Sequence, residues 1–220
     1  MTMQPCHGAI KRSTLLLKST RRLVLATLMA APMIGLVRAH AADATEAAEK
    51  PAAASVPPLA EQADWVTAMD VSVDGKLLAV VGGQSLLYRP GYVKLFDAAS
   101  GALVAALEGH DTVVTAVALS HDGRRFATAG YDGAVKLWNV DAKTLEHAWS
   151  AHKHWVTGLA FSPDDKTLAT ASEDMTVRLW DVTTAPGEPA KELKGHTSGV
   201  TSVAFSSDGR HIATGGIDGL

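Results

Sequence analysis

The chain carries one cysteine in 220 residues, Cys6, and it lies in a leader-like N-terminus. A mature form without that leader has no thiol, which is compatible with an oxidising periplasm and demands nothing of it. No Cys-x-x-Cys-His follows, so there is no haem-attachment site, and no lipobox-like cysteine stands after the apolar run. Aromatic residues make up only 5% of the chain, and none interleaves with a basic stripe of the kind that binds nucleic acid. Enzyme signatures are missing too. There is no G-x-S-x-G elbow, no H-E-x-x-H, no G-x-x-x-x-G-K-[ST] phosphate loop and no dinucleotide fingerprint.

Long hydrophobic runs are equally scarce. The one candidate, 23–37, contains Pro32 and Gly35 and is short for a bilayer span. It follows Lys11, Arg12, Lys18, Arg21 and Arg22 and precedes Ala39-His40-Ala41, the layout of a cleavable secretory signal over residues 1–41. Thr20-Arg21-Arg22-Leu23-Val24-Leu25 also fits a twin-arginine export signal. Residues 42–63 are rich in Ala, Glu and Pro, cannot bury a core, and read as a disordered linker.

The whole chain has 20 basic and 23 acidic residues; without residues 1–41, which hold six basic and no acidic ones, 14 face 23. An acidic exported part disfavours nucleic acid as a partner and favours solubility.

What the chain has in abundance is repetition. VTAMDVSVDG (66–75), VTAVALSHDG (114–123), VTGLAFSPDD (156–165) and VTSVAFSSDG (200–209) open four units spaced by 48, 42 and 44 residues. In the second unit, short strands over 114–120, 126–130, 134–140 and 145–150 are separated by Asp-Gly turns, the pattern of a four-stranded meander. Both faces of its first strand are apolar or small, which suits a sheet packed between two others.

Gly109-His110, Ala151-His152 and Gly195-His196 recur with Trp138-Asn139, Trp180-Asp181 and Phe96-Asp97. On these residues the region 64–220 resembles the WD-repeat (Trp-Asp repeat, G-beta-like) family of β-propellers. The resemblance implies an all-β fold, an incomplete β-propeller of about three and a half four-stranded blades, preceded by a signal helix and the linker. It also implies structural tetrads in which a His, a hydroxyl, an Asp and a Trp bond to one another. Residue by residue these are His110, Thr128, Asp132 and Trp138; His152, Thr170, Asp174 and Trp180; and His196, Thr214 and Asp218 without a Trp.

Two departures stand out. The first unit has no Gly-His, no turn Asp matching Asp132 and six extra residues within 84–91, so it should be the least regular blade, held by packing alone. The fourth stops after its second strand, which implies a piece of a longer propeller, or a ring completed by a second chain through open blade edges.

The resemblance further implies a non-catalytic scaffold for a protein or peptide partner, and the leader implies export to the periplasm or beyond with no stable membrane span in the mature form; no cofactor and no metal is expected. Contact residues are expected in the inserted loop, at Tyr88 and Arg89, and just before first strands, at Thr112, His154 and Ser198. The alternative is the propeller part of an exported cytochrome c-like redox protein. His152-Lys153-His154 lacks a third convergent ligand for a metal, and Asp164, Asp165, His121, His147 and His211 read as solvated turn or strand-end residues.

Overall fold

In the computed structural model, residues 65–84 and 89–220 are described, and all lie in one compact unit. The expected signal, linker and Tyr88 fall outside them. Among the described residues, fourteen strands run in chain order. The first sheet contains β1 (Trp65–Val71), β2 (Leu77–Gly83), β3 (Gly91–Asp97) and β4 (Leu103–His110). The second contains β5 (Val114–Leu119), β6 (Arg125–Gly130), β7 (Ala134–Asn139) and β8 (Thr144–Ser150). The third contains β9 (Val156–Phe161), β10 (Thr167–Ser172), β11 (Val177–Asp181) and β12 (Lys191–Leu193). The last pairs β13 (Val200–Phe205) with β14 (Ile212–Gly216).

Each of the first three sheets is an antiparallel meander with its strands side by side in chain order. With the β13–β14 pair they make up the expected three and a half blades. Among the described residues no helix is long and apolar enough to cross a membrane.

The same turn closes the first hairpin of every blade. Ser72, Ser120, Ser162 and Ser206 each donate a hydroxyl hydrogen bond, 2.6–2.7 Å long, to Asp74, Asp122, Asp164 and Asp208 respectively. Each carboxylate also accepts the backbone N–H two residues further on. A short side chain that satisfies its own backbone is what lets Ser and Asp specify a turn. The bonds to the ionised form hold these carboxyls below their ordinary range, Asp74 at about 2 with the Ser72 hydroxyl as the leading cause.

The core lies between blades. Val114, Val117, Leu119 and Phe126 of the second blade pack on Ala79, Val81 and neighbours of the first. Val156, Phe161 and Leu168 pack on Ala118, Ala127 and Ala129. Val200, Val203 and Phe205, with Ile212, pack on Ala160, Ala169 and Ala171. At the second and third junctions large side chains on the leading face of one blade thus meet alanines on the trailing face of the blade before it, whereas at the first they meet Ala79 together with Val81, Val93 and Leu95.

A register shift interrupts each first strand at the threonine of its Val-Thr pair, at Thr67, Thr115, Thr157 and Thr201. The Thr115 hydroxyl sits 3.2 Å from the Ala129 carbonyl in its own blade and 2.5 Å from the Val156 carbonyl in the next. Thr157 does the same with Ala171 and Val200, at 3.2 and 2.5 Å. Thr67 lies between the Val81 and Val114 carbonyls. These bulges re-aim a hydroxyl across each junction, and so they bond one blade to the next.

The first blade has the longest strands yet three register shifts, against two in the second and one in the third. At the positions of Thr128 and Trp138 it places Val80 and Phe96, both buried. Hydrocarbon fills the space that the polar groups occupy elsewhere.

Candidate functional site

In the third blade, His152 from the β8–β9 connection, Thr170 from β10, Asp174 from the β10–β11 turn and Trp180 from β11 converge. His152 Nε2 is 2.6 Å from the Thr170 hydroxyl, its Nδ1 is 2.9 Å from Asp174, and Trp180 Nε1 donates to the same hydroxyl at 3.0 Å. The chain of donors has one consistent solution. Indole N–H gives to the Thr oxygen, the Thr O–H to Nε2, and Nδ1–H to the carboxylate, with imidazole neutral. Burial pushes the His152 pKa down despite the facing Asp174, which fits a neutral ring. Burial would raise Asp174, but the Thr176 hydroxyl and the His152 ring outweigh it and hold the carboxyl below its ordinary range.

The second blade repeats two of these three contacts. His110 Nε2 is 2.7 Å from the Thr128 hydroxyl, and Trp138 Nε1 donates to that hydroxyl at 2.8 Å. Its Asp132 stands back, with Oδ2 3.7 Å from His110 Nδ1. Nδ1 is therefore buried without a hydrogen bond. In the fourth unit His196 lies 2.9 Å from Thr214 and 3.0 Å from Asp218, whose carboxyl is held at about 2 by the His196 ring and then by the Thr197 N–H.

The anticipated contact residues separate in kind. Arg89 is exposed and donates to Gln84 at 3.0 Å, His154 is exposed, and Ser198 is half-buried. Thr112 is buried, and its hydroxyl accepts the Asp132 N–H at 3.2 Å. It spends its polar group on its own blade and offers a partner almost no surface.

Beside His154 lies an aromatic pair that sequence reasoning missed. Tyr131, in the β6–β7 turn, stacks on Trp155, just before β9, with ring centroids 4.3 Å apart. Trp155 is 41% exposed, and its carbonyl accepts the Glu173 N–H at 3.0 Å. The only signal in the sequence was a large aromatic where the second and fourth units have Val113 and Gly199, a position at which the first unit has Trp65.

Two residues read as solvated are not. Asp165 is 8% exposed, and its carboxylate reaches across to the second blade. It accepts the backbone N–H groups of His121 and Asp122, each at 2.8 Å, and lies 2.9 Å from His121 Nδ1. Arg125 reinforces the same junction by donating to the Val182 and Asp165 carbonyls, at 2.5 and 3.0 Å. Asp165 takes the turn position that glycine holds in the other units, with φ of 56°. Among the described residues no three His, Cys, Asp or Glu side chains could hold a metal ion together.

The family model described as "WD domain, G-beta repeat" matches residues 101–139, 143–181 and 187–220. The chain belongs to this family. The matched segments begin at the β3–β4 turn of the first blade, so the first two each couple an outer strand to the three inner strands of the following blade, and the third couples β12 to β13 and β14. WD repeats generally serve as non-catalytic scaffolds and typically bind protein partners. No curated protein matches the chain.

Proposed function

We propose that this WD-repeat chain is a non-catalytic scaffold in the cell envelope that holds a protein or peptide partner. The observation that carries the reading is how the chemically capable side chains are used. His152, Asp174, Thr170 and Trp180 are bonded to one another inside a blade, where they hold strands together. Exposed recognition groups lie instead in the connection before β9, at His154 and Trp155, and in the β2–β3 loop, at Arg89, outside these tetrads. Aromatic anchors with a polar surround suit protein contact, and the acidic exported part disfavours nucleic acid. The basic, apolar and small-residue order of residues 1–41 supports export.

Photo-crosslinking side chains placed in turn at Arg89, His154 and Ser198 in the native host test this directly, with Asp208 on the opposite turns as control. We expect one adduct, in the envelope fraction, shared by the first three positions and weakened by Trp155→Ala. Equal or greater labelling from Asp208, or adducts confined to the cytoplasm, would overturn the proposal.

A further inference from the structure

The junction chemistry repeats three times, and the two outermost blade faces carry its unmatched halves. On the leading face of the first blade, Val66, Met69 and Val71 are 42%, 41% and 50% exposed. Their counterparts in the second blade, Val114, Val117 and Leu119, are 0%, 9% and 8% exposed, because the first blade covers them. Three adjacent large apolar side chains in water are a docking surface or an aggregation site.

The opposite face of the array, on β13 and β14, carries the complement. Ala204, Ala213 and Gly215 stand where Ala118, Ala127 and Ala129 receive the third blade. Ala213 is exposed, and Ala204 and Gly215 are half-buried. Thr201 repeats the bulge, and its hydroxyl lies 3.0 Å from the Gly215 carbonyl of its own blade. At the three formed junctions the equivalent hydroxyl also reaches a carbonyl of the following blade, that of Val114, Val156 or Val200. Val66 holds that acceptor position in the first blade.

We infer that this chain associates head to tail with a second copy of itself, the leading face of β1 seated on the trailing face of β13 and β14. The large residues Val66, Met69 and Val71 fit against Ala204, Ala213 and Gly215, and the Thr201 hydroxyl donates to the Val66 carbonyl. The occupant is a second copy because the copy already presents the aimed hydroxyl that every internal junction uses and the small-residue face on which the third blade and the half-blade are seated. The contact is heterologous. Large meets small, so neither face pairs with itself, and association continues until a ring closes. The inference rests on the fold and is independent of the scaffold reading.

Mixing variants separates this contact from any symmetric one. Met69→Lys blocks the leading face, and Ala213→Lys blocks the trailing face. Sedimentation equilibrium of the wild-type chain should show a mass rising with concentration from one chain to two or more. Each variant alone should stay a single chain, and an equimolar mixture should form a one-to-one dimer through the two intact faces. Melting curves establish that each variant is folded, and the wild-type measurement needs no variant at all. A wild-type mass of one chain at every concentration would overturn the inference and leave these faces to blades of another polypeptide. Dimers formed by either variant alone would overturn it as well.

Discussion

Oδ2 of Asp132 lies 3.7 Å from Nδ1 of His110, whereas in the next blade the same two atoms, on Asp174 and His152, are 2.9 Å apart. Two copies of one motif therefore differ in a single link, and that link decides what each carboxylate contributes.

Asp174 holds the ring of a buried His, and removing it strands Nδ1–H in the interior. Asp174→Ala should lower stability by about 1–3 kcal/mol, the usual cost of a buried donor left unpaired. Asp132→Ala should cost less, since Nδ1 of His110 is already unpaired. Chemical denaturation of the two variants checks the order; equal midpoints would remove the distinction.

Acid should loosen the third blade before it reaches the turns. Burial lowers the His152 pKa in the folded chain, so between that value and the unfolded value of 6.5 the unfolded state binds more protons. Stability from the neutral ring is thus present above 6.5 and lost as pH falls below it. Asp174 and Asp218 are also held down, so a second loss begins as pH falls through 3.8 and, for Asp218, continues toward about 2. Midpoints measured from pH 7.5 to 3 should fall in two stages, and His152→Gln should flatten the first.

Thr157 should hold the half-blade to its neighbour. Thr157→Val keeps the shape but removes the proton shared between the Ala171 and Val200 carbonyls. We expect a loss of about 1–2 kcal/mol. Backbone amides of β13 and β14 should exchange hydrogen faster while those of β5–β8 keep their protection. Uniform change across all blades would argue against a local bond.

The tetrads were legible because His, Asp and Trp are informative residues at fixed offsets, and the four hairpin turns announced themselves through Ser and Asp. The bulge threonines were in equally plain view in four Val-Thr pairs, yet a threonine in a strand reads as β-propensity. Its second carbonyl belongs to a sheet more than forty residues away, a relationship that only three-dimensional stacking creates. Asp165 failed for a related reason. Its departure from glycine was visible, but what it grips, the backbone of His121 and Asp122, belongs to another blade. The stack of Tyr131 on Trp155 likewise joins a turn to a distant connection.

Val80 and Phe96 show that a blade can be built in hydrocarbon where its neighbours use an imidazole-centred relay. The hydrocarbon version leaves no polar group behind, whereas each member lost from the relay version strands a donor or acceptor, as Nδ1 of His110 is already stranded in the second blade. Mutational drift between them must therefore cross a fitness trough, and blades of either type will tend to keep their chemistry as a set once they have acquired it.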